Sequence, residues 1–293
     1  MSRRDLARME QPNRYAADSR HATRNLRYVA IIPALNEEDC IGRVVAALTT
    51  LKRSDGSPAF VAVVVGDNGS TDRTCDVAMS AGALVGHATS RGYGYGCMAA
   101  IRAAPDADAY VFVDGDDTLN YPEIESLLTA IEAGSQLVIG HRVHRAEHSM
   151  SWPQVLGNAL CCALIRLLWR ADVHDLGPLR AIRAPAFHRL DMQAFTYGWT
   201  LEMQIKAHES GLHMIEVPVS TLARRSSHSK VSSTLRAAAR CGRVMLHTIF
   251  TLWHTRSERL TASALRPPQL RLVNTFHSTH HPLDTPLNKE LPP

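Results

Sequence analysis

A chain of 293 residues, 45% hydrophobic and 20% charged, has the apolar content for one large α/β domain or two small ones and is not disordered or fibrous through its middle. A formal charge of +4, with arginines that are not interleaved with stacking aromatics, argues against a nucleic-acid binder. Six cysteines without a C-x-x-C pair point to reduced thiols in a cytosolic protein, no apolar run reaches the length of a membrane span, and Met1-Ser-Arg-Arg does not open a signal peptide.

Residues 1–26 are polar and aperiodic, which predicts a disordered tail. Tyr28-Val-Ala-Ile-Ile32 then reads as a strand, followed by a loop at Pro33 and a helix starting near Asn36 or Glu37, with Ile41, Val44, Val45 and Leu48 at helical spacing. The design repeats: a strand at 60–65, the polar turn Asp67-Asn-Gly-Ser-Thr-Asp72 and a helix at 74–80; a weaker strand at 84–85, then Arg91-Gly-Tyr-Gly-Tyr-Gly96 opening a helix to about 103. Tyr110-Val-Phe-Val113 is a fourth strand, ending abruptly in Asp114-Gly-Asp-Asp117, with a helix at 123–133 and a fifth strand at 136–140 behind it. Such alternation predicts a mostly parallel sheet with helices on both faces, all its polar strand-to-helix turns falling on one edge.

Beyond Gly140 the alternation loosens. His141, His144 and His148 lie in a polar stretch that reads as a solvated loop rather than a metal site. Further elements are an apolar-faced helix at 155–169, a loop and short strand within 175–183, helices at 185–190 and from Tyr197 to about 210 with Gly211 behind it, and a strand at 214–219 that Pro218 assigns to a sheet edge. A basic segment with Arg224, Arg225 and Lys230 leads into a basic-then-apolar helix at 234–253, and residues 256–293 read as a second tail. The domain boundaries expected are therefore 27–225 for the catalytic-type domain and 226–255 for a helical extension.

A D-x-D pattern alone is weak, and Asp106-Ala-Asp108 in a polar connection is a chance example. Asp114 and Asp116 differ because they end a β-branched, aromatic strand, where open α/β sheets bind ligands. A dinucleotide fold fails on detail: Gly92, Gly94 and Gly96 follow the third unit, their spacing is not G-x-G-x-x-G, and acids at the first two strand ends would repel pyrophosphate. A sugar-nucleotide site gives each acid work: Asp67 accepts from a base edge, Glu37 meets base or ribose, and Asp114 with Asp116 holds Mg²⁺ or Mn²⁺ against the diphosphate.

Val29-Ala-Ile-Ile-Pro-Ala-Leu-Asn-Glu-Glu38, Val65-Gly-Asp-Asn-Gly-Ser-Thr-Asp72 and Asp114-Gly-Asp116 together resemble family 2 glycosyltransferases of the GT-A fold, a Rossmann-like nucleotide-diphospho-sugar transferase architecture. Asp175-Leu-Gly-Pro-Leu-Arg-Ala-Ile-Arg183, Gly198-Trp-Thr-Leu-Glu-Met-Gln204 and Ser229-Lys-Val-Ser232 resemble the branch of dolichyl- or polyprenyl-phosphate sugar transferases. The resemblance implies inverting, metal-dependent transfer from a UDP-sugar or GDP-mannose. By position it puts Pro33, Ala34, Asn36, Glu37 and Asp67 on the nucleotide, Asp114 and Asp116 on metal and diphosphate, Arg91 near the donor, and Glu202 near the acceptor as candidate general base. Arg180, Arg183, Arg224, Arg225 and Lys230 are candidates for an acceptor phosphate such as polyprenyl phosphate, which being already ionised lessens the need for a base.

Asn68 stands where the family usually has a second Asp, and paired C-terminal transmembrane helices are missing, so membrane association is expected to be peripheral, on the inner face of the cell membrane. The alternative reading is a nucleotide-sugar-binding protein without transferase activity.

Overall fold

The central strand of the sheet is Tyr28–Ala34 (β1), buried along almost its whole length because a strand pairs with it on each side. In a computed structural model, which describes residues 26–145, 152–223 and 235–265, Ala62–Asp67 (β2) pairs with one edge of β1 and Ala109–Phe112 (β4) with the other, both parallel. Leu84–His87 (β3) extends the sheet beyond β2; on the other side follow Arg180–Arg183 (β6), Leu137–Arg145 (β5) and the edge strand Met214–Thr221 (β7). The seven strands run β3-β2-β1-β4-β6-β5-β7, parallel except that β6 is antiparallel to both neighbours. This is the mixed, mostly parallel α/β sheet expected from the alternating pattern, with Pro218 on the edge strand.

Helices cover both faces. Ile41–Thr50 (α1), Thr74–Ser80 (α2) and Ile124–Glu132 (α4) pack Val44, Leu48, Ala78, Leu127 and Ile131 against Ala30, Ile32 and Val65. Tyr93–Ala103 (α3), Ala184–Leu190 (α6) and Trp199–Glu209 (α7) bring Cys97, Phe187, Trp199 and Met203 against Ile31, Phe112 and Ile139 on the other. Each fully buried aliphatic side chain here contributes roughly 1.5–3 kcal/mol relative to exposure. Trp152–Trp169 (α5) and Leu235–His254 (α8) join a third cluster, where Cys161, Ile165, Ile249 and Leu252 meet Leu201 and Ile205 of α7.

Three elements differ from expectation. Helix α1 starts at Ile41 rather than near Asn36, because Asn36 takes a left-handed conformation (φ 52°) and residues 35–40 remain a loop. The polar stretch after Gly140 is not a loop up to Arg145 but the continuation of β5, whose ladder with β7 supplies the backbone hydrogen bonds that side-chain polarity does not predict. Arg256–Leu265 (α9) is helical where composition reads as a tail.

The glycines of 92–96 serve packing. A Cβ on Gly66 of β2 would lie 1.9 Å from the Gly96 carbonyl oxygen, and one on Gly96 would lie 3.1 Å from Pro33 Cβ, so α3 rests directly on the strand backbones.

At the opposite edge of the sheet, Arg53 donates to Glu132 through both Nη atoms, the Nη2 bond being 2.8 Å, and Tyr28 Oη donates to Glu132 at 3.3 Å. The Arg53 hydrogen bond holds the Glu132 carboxyl below its ordinary range. A depressed carboxyl contributes stability above its unfolded pKa and loses it as pH falls through the folded value. Glu132→Gln is therefore expected to lower Tm by about 2 °C near neutral pH, solvent screening keeping the effect small, and to leave Tm unchanged in strong acid. Calorimetry across that range checks it; an equal loss at both ends would assign the effect to packing.

Candidate active site

Parallel pairing puts the ends of β1, β2 and β3 level: Ala34 lies opposite Asp67, and Asp67 opposite His87. Side chains then stitch the loops together. Asn36 Oδ1 accepts from Thr71 N–H at 2.7 Å, Ser70 Oγ accepts from Asn36 N–H at 3.0 Å, and Thr74 Oγ1 accepts from Glu37 N–H at 2.8 Å. Asn68 Oδ1 accepts from Gly92 N–H at 2.7 Å and Arg91 Nη2 donates to Gly69 O at 3.4 Å, tying the Asp67 turn to the head of α3. A Cβ on Gly115 would come within 3.7 Å of Glu37 Cγ, so the β1 and β4 loops adjoin. Pro33, Ala34, Asn36, Glu37, Asp67 and Arg91 are thus gathered on one edge, and Asn68 has a task that an Asp, which cannot donate but can accept, would perform equally.

Asp67 is buried, and burial pushes its carboxyl upward; Ser70 N–H at 3.0 Å, Gly69 N–H at 3.3 Å and His87 outweigh that and hold it below the ordinary carboxylate range. It is an ionised acceptor throughout the physiological range.

Asp114 and Asp116 emerge beyond β4 and line one cavity of about 270 Å³. Tyr93 Oη donates to Asp114 Oδ1 at 3.0 Å, and burial, then the Asp114 charge, raise the Tyr93 phenol well above its ordinary value, so it remains a donor. Thr118 Oγ1 donates to Asp116 Oδ1 at 2.8 Å. The loop carrying Asp116 is clamped to β7: Leu222 N–H donates to Thr118 O at 2.8 Å, and Glu123 accepts from Ser220 N–H at 2.6 Å and Ser220 Oγ at 2.8 Å. Asp117, at φ 58°, turns away and accepts from Arg43 Nε at 3.0 Å and Tyr121 Oη at 2.8 Å.

The acceptor side departs from the expectations. Glu202 is buried and does not line the cavity: its carboxylate accepts from Gln193 N–H at 2.9 and 3.0 Å and Ala194 N–H at 2.6 Å and pairs with Lys206 Nζ at 2.7 Å. It fastens the 191–194 loop to α7. Arg180 is buried beneath the cavity wall, donating to Gly177 O at 2.8 Å, to Thr200 O and to Gln204 Oε1 at 3.1 Å; burial lowers it to about 10. Arg183 lies at the far end of β6, opposite Ala109, and donates to Ile131 O at 2.9 Å. Arg224, Arg225 and Lys230 lie outside the described residues.

The basic residue that does line the cavity is Arg142, with Tyr93, Thr200 and Ser220. Arg142 is fixed by Asp175 through a two-pronged ion pair, Nε and Nη2 each at 2.7 Å, and Asp175 also accepts the Arg142 N–H at 3.0 Å. Burial pulls the guanidinium pKa down, but the Asp175 hydrogen bonds and charge outweigh it, so it stays charged. Sequence reasoning missed this pair: Asp175 entered only through the family resemblance of its segment, and Arg142 lies in the polar stretch that reads as a loop.

The sequence pattern of glycosyl transferase family 2 matches residues 29–191, more than half of the chain. The chain belongs to glycosyltransferase family 2. As a member it is a glycosyltransferase, similar to an uncharacterized glycosyltransferase of Mycobacterium tuberculosis (32% identical over 210 residues, 71% of this chain and 91% of that protein). It is also similar to the dolichyl-phosphate hexose transferase of Haloferax volcanii (32% over 190 residues, 64% of this chain and 80% of that one). The polyprenol monophosphomannose synthase of Mycolicibacterium smegmatis is 26% identical over 234 residues, 72% of this glycosyltransferase and 84% of that enzyme. Among solved structures, glucosyl-3-phosphoglycerate synthase from M. tuberculosis, determined with Mn²⁺ and UDP-glucose, superposes with a TM-score of 0.61 at 22% identity over 78% of this chain and 79% of that one, a likeness of fold.

Proposed function

We propose that this glycosyltransferase moves a sugar, with inversion, from a UDP- or GDP-sugar onto polyprenyl phosphate, using a divalent cation held by Asp116 with Asp114. The observation that carries the acceptor class is that Asp114 and Asp116 are the carboxylates lining the cavity among the described residues, while Glu202 is committed elsewhere. A hydroxyl acceptor would need a base; a phosphate oxygen arrives ionised and attacks without one. The names of the Haloferax and Mycolicibacterium relatives support the same acceptor.

Two hard carboxylates on one wall fit Mg²⁺ or Mn²⁺, which bind through one or two carboxylates and complete their shell with water and substrate phosphates. The cation would neutralise the diphosphate and stabilise it as leaving group. On this reading Asp67 receives the N–H of the base edge, Asn36 and Glu37 border base and ribose, Arg91 stands beside the donor, Tyr93 fixes Asp114 by its hydrogen bond, and Arg142 supplies positive charge to the phosphates meeting in the cavity.

No helix among the described residues is long and apolar enough to cross a membrane. Trp152, Leu156, Leu160 and Leu167 of α5 share one exposed helical face and Phe250 and Trp253 of α8 are exposed, while Gln154, Cys241 and Met245 of the same two helices line the cavity, which supports a route for a lipid acceptor. On this reading the enzyme docks peripherally on the inner face of the cell membrane through that apolar face.

The test is a thermal-shift panel of UDP- and GDP-sugars with and without Mn²⁺, followed by transfer of labelled sugar into a polyprenyl-phosphate vesicle. The expected result is a cation-dependent Tm rise for one nucleotide class, about 2.7 kcal/mol of added stability at a hundredfold excess over Kd, and label in the lipid phase. Donor binding without transfer to any phosphate or hydroxyl acceptor would instead favour a nucleotide-sugar-binding protein without turnover.

A further inference from the structure

Away from the cavity, on the base side of the sheet edge, three side chains of different chemistry converge. Asp67 ends β2, His87 ends the neighbouring β3 directly opposite it, and Cys75 is the second residue of α2. His87 Nδ1 is 3.5 Å from Asp67 Oδ2, and one ligand atom from each of the three residues lies within 4.8 Å of the other two. Among the described residues this is the group of three side chains so arranged.

We propose that Asp67, Cys75 and His87 form a site for a thiophilic divalent cation, Zn²⁺ above all, and that occupying it closes the base end of the donor site. The second half of this inference rests on the reading of Asp67 as the base contact; the first does not.

The donor set decides the class of ion. A mixed carboxylate, thiolate and imidazole triad suits Zn²⁺ and its neighbours in softness, whereas Mg²⁺ prefers oxygen. Bond lengths of about 2.0–2.3 Å around a tetrahedral Zn²⁺ separate neighbouring ligand atoms by roughly 3.4 Å. The observed Nδ1 to Oδ2 distance of 3.5 Å already has that value, and a ligand atom from each of the three residues lies within 4.8 Å of the others. Three protein ligands leave a fourth position for water. Ser70 N–H donates to Asp67 Oδ1 and Gly69 N–H to Oδ2 at 3.3 Å, fixing the carboxylate with Oδ2 beside His87, the kind of outer contact that orients metal ligands. His87 is 72% exposed at its side chain, so an ion reaches the site from solvent.

Binding exchanges one proton for the ion. With metal the Cys75 thiol becomes a thiolate, and Zn²⁺ with Asp67 and Cys75 is neutral. The ion would use the Asp67 lone pair that a base N–H needs. Asp67 and the Asp114 loop stand two strands apart, roughly 10 Å at about 4.8 Å per strand, so the two cation sites share no ligand.

Cobalt is the probe. Titrating Co²⁺ into the full chain in the presence of excess Mg²⁺ is expected to give, at one ion per chain, the near-ultraviolet thiolate-to-cobalt band, displaced by Zn²⁺. Cys75→Ser should abolish the band and His87→Ala should weaken Co²⁺ at least tenfold, with the Tm of both variants recorded to show that they fold. No band, or a band that survives Cys75→Ser, overturns the site. In a second arm, Zn²⁺ at saturation should raise the Kd of UDP or GDP at least tenfold for the unsubstituted chain and leave it unchanged for Cys75→Ser. A Cys75-dependent band with unaltered nucleotide Kd would uphold the metal site and overturn the role of Asp67 at the base.

Discussion

Asp116→Ala is expected to reduce sugar transfer by about three orders of magnitude while moving Tm by no more than a degree or two. The magnitude follows from the task assigned to the cation: a metal that neutralises a leaving diphosphate stabilises the transition state by several kcal/mol, and each 1.36 kcal/mol is about tenfold in rate. The small effect on stability follows from the surroundings. Asp116 is half-buried at a cavity wall, where it accepts from the Thr118 hydroxyl, and Glu123 and the Leu222 N–H hold the loop that carries it to β7. Asp114→Ala differs in kind, because it leaves the Tyr93 hydroxyl buried without its acceptor and should cost stability as well as rate. Measuring kcat, donor Kd and Mn²⁺ affinity on the Asp116 variant separates the steps: loss of Mn²⁺ affinity with kcat is the expected pattern. Full turnover with intact Mn²⁺ binding would remove Asp116 from the cation site.

How far the sequence reaches is clearest in contrasting pairs of residues. Val111, Phe112 and Val113 had to be buried, and a buried strand that ends in Asp114 and Asp116 delivers them to the ligand-binding edge, because a parallel sheet aligns all such ends. That inference uses only local pattern and one topological rule. Arg180 and Arg183 are a different case. Their segment reads equally well as a strand in either direction, yet β6 runs antiparallel, which puts Arg180 beside Phe112 under the cavity and Arg183 beside Ala109 at the far edge.

Glu202 is a case of another kind. An acid in the first turn of a helix says nothing about which loop folds over it, and it is the amides of Gln193 and Ala194, fixed by tertiary structure, that claim its carboxylate. Arg142 was invisible because its burial depends on a partner, Asp175, 33 residues away.

That pair carries the second large effect. Asp175→Asn is expected to destabilise the protein by about 3–5 kcal/mol, a drop in Tm on the order of 10 °C, because breaking a buried ion pair on one side leaves an uncompensated charge. Asp175 is fully buried, both its oxygens are bonded to the Arg142 guanidinium at 2.7 Å, and its own carbonyl accepts from Gln204 Nε2 at 3.2 Å, which connects it to the network around Arg180. An amide in its place keeps the shape but presents an NH₂ group toward a guanidinium that can only donate. Replacing both partners by apolar residues removes the penalty, so Arg142→Met with Asp175→Leu should recover most of the stability lost by Asp175→Asn. The two readouts then part company. If Arg142 supplies charge to substrate phosphates in the cavity, the double variant unfolds near the temperature of the unsubstituted chain yet transfers sugar at least a hundredfold more slowly, with the loss in the Kd of donor or phosphate acceptor. A double variant that is both stable and fully active would make the Arg142–Asp175 pair a support for the cavity wall and nothing more.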